Sequence, residues 1–190
     1  DALEDIARMG ATNIIVLSVK PPDDGSASQR RSFVATYGLT QTDYDRFATL
    51  MESGIVTRMV PMRVFAQDAR HREKKHSSRI VATTPEYAAI HQLSLASGRF
   101  LVEDDDLYMR NVAVLGTSVA EDLFPFQDPV GQTIQINQYD EVSLGGLKNR
   151  MPLGGSSTQM AEDFNNDVYI TLSTCRGRFG GFVGLAFLHA

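Results

Sequence analysis

Four histidines and Ser118 are the first candidates in this sequence for metal ligands or a catalytic nucleophile. The histidines are His71, His76, His91 and His189. None of them has the i, i+4 spacing of an H-E-x-x-H zinc helix, so the sequence predicts no metal site. His71 and His76 lie in a basic stretch and are expected to be exposed.

Ser118 follows a predicted strand and precedes a predicted helix, which is the setting of a hydrolase nucleophile. The nucleophile motif G-x-S-x-G needs a second glycine, but Ala120 stands at that position. Ser118 is better explained as a helix cap, forming a capping box with Glu121. The sequence offers no nucleophile–base pair for a hydrolase with an unrecognised site. Turnover of ester, peptide or phosphoester substrates, abolished by a point mutation, would be needed to support that alternative.

The acidic run Glu103 to Asp106 could suggest a cation site. It lacks the alternating carboxylates and the glycine of a calcium loop, so we expect a solvated loop. The sequence also lacks G-x-x-x-x-G-K-[ST], and no ATP site of that kind is expected. We therefore predict no catalytic residue, no metal and no cofactor, and a chain that is not an enzyme.

Composition narrows the possible functions further. The 190 residues carry a net charge of −5, which argues against nucleic-acid binding. A single cysteine excludes an intramolecular disulfide and a cysteine zinc site. No apolar run reaches the roughly 20 residues that span a bilayer. The opening "DALEDIARMG" carries no secretory signal and is expected to be a processing boundary.

The stretch "ARHREKKHSSR" from Ala69 to Arg79 is the most basic part of the sequence. One interpretation is a solvated hairpin tip or loop. The other is a docking patch for an acidic partner or a membrane surface. In the second interpretation the candidate docking residues are Arg70, Arg72, Lys74 and Lys75.

The remaining residues predict the elements that position these side chains. Apolar runs predict strands over Asn13–Val19, Ile55–Phe65 and Val168–Leu172, and a last strand over Phe182–Leu188. A helix is predicted from Thr40 to Met51, and another after Thr84 as cap and Pro85 as first residue. The segment "NVAVLGTSVAEDLFPFQDPVGQTIQI" predicts a buried strand, a helix with Val119, Leu123 and Phe124 inward, a turn and a half-buried strand.

Several of these segments resemble the periplasmic domain of MacB-type ABC transporter permeases. They are "LEDIARMGATNIIVLSV", "PEYAAIHQLSLASGRFL", "NVAVLGTSVAEDLFPFQDPVGQTIQI" and "DVYITLST", which follow in the same order over residues 2 to 174. The resemblance implies an α+β fold in which a porter-like strand–helix–strand subdomain carries an inserted β-rich subdomain. We expect the porter-like part at residues 1–65 and 166–190, incomplete at its C-terminus, and the inserted part at 66–165.

The resemblance also implies a function. It implies the extracytoplasmic domain of an ABC-type export or mechanotransmission permease in an inner membrane, with ATP hydrolysed in a separate nucleotide-binding domain. The implied partners are the protein's own transmembrane helices and ATPase domain, and a periplasmic adaptor protein or a lipoprotein or peptide cargo. A homodimer is expected for the whole transporter. The alternative is a free-standing extracytoplasmic ligand- or peptide-binding module.

Overall fold

The structure, a computed structural model, describes residues 13–17, 46, 49, 58–149, 164–180 and 185–189. The chain forms two compact units, Asp1–Pro61 with Phe182–Ala190, and Met62–Gly181. The predicted subdomain boundaries, at residues 65/66 and 165/166, stay a prediction. None of the helices in the described residues combines the length and the apolar character needed to cross a bilayer.

In the first unit, strand β1 (Asn13–Leu17) pairs antiparallel with the last strand, β9 (Leu185–His189). Asn13 lies opposite His189, and Leu17 lies opposite Leu185. Both strands were predicted from apolar runs. Arg46 and Thr49 are helical, as the predicted helix requires, while most of that helix and the predicted N-terminal helix lie outside the described residues.

The second unit contains most of the described elements. In chain order they are β2 (Arg58–His71, entering from the first unit), β3 (Lys74–Thr83), α1 (Glu86–Ile90), β4 (Leu95–Gly98), α2 (Glu103–Leu107), β5 (Val112–Leu115), α3 (Thr117–Leu123), β6 (Thr133–Ile136), β7 (Tyr139–Leu147), β8 (Asp167–Thr171) and α4 (Leu172–Phe179).

Six of these strands pair in a closed ring. The order is β2–β3–β8–β5–β7–β6 and back to β2, with parallel pairing at β3–β8 and β5–β7. Strand β4 pairs with the end of β7 that β6 leaves free. Since each strand of the ring has a neighbour on both sides, the ring leaves few strand edges for pairing with another chain.

The core of this unit comes from the strands that the sequence marked as apolar. Every residue of β5 and β8 is buried, and β6 alternates exposed and buried residues as predicted. Helix α3 packs on β3 and β7, with Val119, Leu123 and Phe124 buried. Helix α4 packs on β3 and β8. The predicted inward face of α3 is confirmed.

Both predicted helix caps were wrong. Helix α1 has Pro85 as its N-cap, and the carbonyl of Thr84, rather than its hydroxyl, accepts a hydrogen bond from the Tyr87 amide at 3.1 Å. Helix α3 starts after Gly116 with no side-chain cap, because the Ser118 amide donates to the carbonyl of Asn165 at 3.0 Å. A carbonyl from a distant segment therefore satisfies the orphan amide that a capping box would have satisfied.

The segment after β8 holds more structure than the single strand expected there. Thr171 caps helix α4, because its side chain accepts a hydrogen bond from the Thr174 amide at 3.3 Å. Asp106 also accepts from the Ser173 amide at 2.8 Å. The helix ends at Gly180, whose φ of 63° suits glycine, and β9 follows. The sequence patterns did not predict this helix.

Candidate docking surface

The predicted basic stretch forms the tip of the β2–β3 hairpin. Arg70 lies opposite Lys75 and His71 opposite Lys74, so only Arg72 and Glu73 make the turn. Arg72 has a φ of 55°, the left-handed conformation that two-residue hairpin turns require at their first position. The interpretation as a hairpin tip is confirmed, and the structure brings Arg70, Arg72, Lys74 and Lys75 together.

The four basic side chains differ in how their charge is balanced. Lys75 Nζ lies 2.8 Å from the Asp68 carboxylate, and Arg70 Nη2 lies 4.0 Å from it. The hydrogen bond from Lys75 holds the pKa of Asp68 below its ordinary value. Arg72 and Lys74 are exposed and form no ion pair within the described residues. The positive charge available to a partner is therefore concentrated at the turn.

Two histidines hold the hairpin in place. His71 Nδ1 donates to the Thr133 carbonyl at 2.7 Å, and its ring lies 4.5 Å from the ring of Phe124. His76 lies 2.6 Å from an Asp122 carboxylate oxygen and is only 11% exposed. The expectation that both histidines are exposed was wrong, because α3 and β6 pack against the hairpin that carries them.

A turn between α3 and β6 places an aromatic ring in solvent beside this tip. The amide of Gln127 donates to the Phe124 carbonyl at 3.0 Å, so Pro125 and Phe126 are the central residues of a tight turn. Phe124 is buried, whereas Phe126 is fully exposed and has a φ of 64°. Sequence reasoning missed Phe126, since "LFPF" does not say which phenylalanine turns inward.

The acidic run is not a solvated loop but helix α2, so that expectation was wrong. Asp105 is buried and accepts hydrogen bonds from Arg99 at 2.6 and 3.0 Å, from Arg110 at 3.2 Å and from the Val102 amide at 3.0 Å. The hydrogen bond from Arg99 is the main cause that lowers the pKa of Asp105. The carboxylate of Asp105 is thus bound by Arg99 and Arg110 of the protein itself.

Two further buried carboxylates are also paired within the protein. Asp167 receives two hydrogen bonds of 2.7 Å from Arg79, and Glu141 receives one of 2.8 Å from Arg178. Burial raises the pKa of Glu141 to about 7, against the opposing pull of Arg178. Within the described part of the chain, no group of three or more histidine, cysteine, aspartate or glutamate side chains could hold a metal ion.

A family model for the MacB-like periplasmic core domain matches residues 1–187. The chain belongs to this family. The Macrolide export ATP-binding/permease protein MacB of Rhodospirillum rubrum is 31% identical over 183 residues, which are 95% of this chain and 26% of that protein. The protein of the same name from Marinobacter nauticus is 25% identical over 92% of this chain and 25% of its own length. The chain therefore spans about a quarter of the curated relatives it matches.

Solved structures of such domains share the fold. The periplasmic region of MacB from Actinobacillus actinomycetemcomitans is 19% identical, with a TM-score of 0.72 over 98% of this chain and 78% of that chain. The extracellular domain of the noncanonic ABC-type transporter YknZ from Gram-positive bacteria is 18% identical, with a TM-score of 0.66 over 80% of this chain and 73% of that chain. The predicted α+β class and the predicted family are confirmed.

Proposed function

We propose that this MacB-like periplasmic core domain is the extracytoplasmic part of an ABC-type permease that moves with an ATPase cycle. The observation that carries the proposal is the family match over residues 1–187. In this proposal ATP is hydrolysed in a separate nucleotide-binding domain, and transmembrane helices of an inner membrane pass the motion on. The domain then handles cargo or an adaptor protein outside the membrane, and the whole transporter is a homodimer.

The construction of the second unit supports a mechanical role. Its six-stranded ring joins residues that are far apart in sequence, as where Ala69 of β2 pairs with Ile136 of β6. The ion pair of Arg79 with the buried Asp167 adds a further link, between β3 and β8. A closely packed unit of this kind shifts as one body instead of deforming, which suits hinge motion.

The hairpin tip is the part of this unit that we assign to partner docking. Arg70, Arg72, Lys74 and Lys75 project at one place in a chain that is acidic as a whole. Positive charge on an acidic protein attracts an acidic partner and speeds its association. A periplasmic adaptor protein or a lipoprotein or peptide cargo would dock here.

The coding sequence on both sides of this segment tests the proposal. A permease requires apolar stretches of about 20 residues before and after the domain. It also requires a nucleotide-binding domain with a P-loop in the same or an adjacent reading frame. A secretory signal directly upstream and a stop codon directly downstream would instead support a free-standing binding module, and would overturn the proposal.

A further inference from the structure

We propose that the hairpin tip and the Phe126 turn form one docking surface for an acidic segment of a partner protein that carries an exposed apolar side chain. The surface consists of two cations that form no ion pair within the described residues, Arg72 and Lys74, and two exposed apolar side chains, Phe126 and Val142. The inference rests on the proposed function, and it adds the apolar half of the surface and the chemistry of the partner.

Strand pairing brings the two halves together. Arg70 lies opposite Gln135 in the antiparallel β2–β6 pair, so Thr133 lies at the level of the hairpin turn. On its other side Thr133 lies opposite Val142, which is partly exposed. The contact between the tilted rings of His71 and Phe124 fixes the hairpin against the turn that carries Phe126.

Phe126 occupies a turn position at which the stability of the fold alone would favour a different type of residue. A turn with proline first and a positive φ second has the form of a type II turn, which prefers glycine or asparagine at the second position. A bulky side chain at positive φ is strained, and the fully exposed ring stays in water. Strain of this kind at an exposed aromatic side chain is a feature of binding sites, so we assign Phe126 a binding role.

The charges favour a protein partner over a lipid surface. Acidic side chains interrupt the basic tip. Glu73 lies in its turn, and Asp68 pairs with two of its cations. Asp128 and Asp140 are exposed in the neighbouring segments. An anionic bilayer attracts continuous basic clusters and would be repelled by these carboxylates. A peptide segment can place its acidic side chains at Arg72 and Lys74 and an apolar one against Phe126. Aromatic and arginine side chains are also enriched at protein interfaces.

Site-specific photocrosslinking tests the partner's class. The full-length protein, expressed in its host cells, would carry Phe126→p-benzoyl-phenylalanine, with the same replacement at Tyr108 as a control. Tyr108 is 65% exposed and lies at the C-terminal end of α2, an element outside the proposed surface. We expect Phe126 alone to capture another protein, at a segment that mass spectrometry identifies as acidic with an apolar side chain. Capture of lipid, of a second copy or of a non-acidic segment overturns the proposal, and so does no capture or equal capture at Tyr108.

Binding of the captured protein, once purified, then tests the residues. Phe126→Gly should weaken binding about 30-fold. It should also raise the melting temperature by about 2–4 °C, because glycine suits the turn. The double variant Arg72→Gln, Lys74→Gln should weaken binding about tenfold and reduce its salt dependence. Unchanged affinity in these variants overturns the proposal. The flanking coding sequence is independent of these results, so the proposed function and this inference can fail separately.

Discussion

Replacing Asp105 by asparagine tests whether the acidic run is structural. Asp105 is fully buried on α2 and is the acceptor of the two arginines that flank the helix in sequence, Arg99 and Arg110. Asparagine has nearly the same shape but removes the charge, and it turns an NH₂ group toward a guanidinium. Both arginines then lose their ion-pair partner.

The expected loss of stability is intermediate, because only the Asp105 side of each ion pair is fully buried. Breaking a fully buried pair costs about 3–5 kcal/mol, whereas an exposed pair contributes at most about 1 kcal/mol. Asp105 is 0% exposed, but Arg99 and Arg110 are 44% and 49% exposed, so water screens their ends of both pairs. We therefore expect the free energy of unfolding to fall by about 2–3 kcal/mol.

Urea unfolding followed by far-ultraviolet circular dichroism would measure this loss. The matched control is Asp104→Asn, an exposed neighbour on the same helix, which should change stability by less than about 0.5 kcal/mol. The pKa of Asp105 is lowered from 3.8, so its contribution is full above that pH and is lost as the pH falls below it. Equal stability of the two variants at pH 7 would refute the reasoning.

Three further predictions concern backbone, pH and thiol chemistry. Gly98→Ala should destabilise by about 3 kcal/mol or more, because its Cβ would overlap the Leu144 carbonyl. Gly131→Ala, at a similar φ with open space around it, should cost only about 1–2 kcal/mol, and equal urea midpoints would contradict this difference. The pKa of Glu141 is raised to about 7, so the folded protein holds a proton that the unfolded chain releases above about pH 4.5. Wild-type stability should therefore fall by up to about 3 kcal/mol as the pH rises from about 5 to 8. Urea unfolding of Glu141→Gln should not show this fall, and an equal slope in both proteins would contradict the assignment. Cys175 is buried, and burial raises the pKa of its thiol, so Ellman's reagent should react with it only in denaturant; rapid reaction of the native protein would show that this site opens.

Local patterns predicted the strands well, because buried positions of a strand require apolar residues and these are visible in the sequence. Strands β5 and β8 are buried throughout, and each reads as a continuous apolar run. Strand β6 has one buried face and reads as an alternation. The hairpin tip could likewise be predicted, since a polar, basic stretch between two apolar runs is typical of an exposed turn.

Pairing between distant segments explains what the sequence did not reveal. The acidic run became a helix with a buried carboxylate because Arg99 and Arg110 meet Asp105 in space. Ser118 does not form the predicted capping box, because its amide donates a hydrogen bond to the carbonyl of Asn165 instead. Closure of the ring depends on β2 meeting β6, and no local pattern encodes that register.

The most direct test of the proposed motion is a distance measurement by pulsed electron paramagnetic resonance on the full-length protein in lipid nanodiscs. Spin labels at the exposed positions Glu121 and Gln135 report distances within the second unit, and a label at Gln135 alone reports the distance between two copies. We expect the distance between copies to shift by several ångströms between the ADP-bound and ATP-trapped states, while the internal distance stays unchanged. A distance between copies that is the same in both states, or an internal distance that changes, would contradict it.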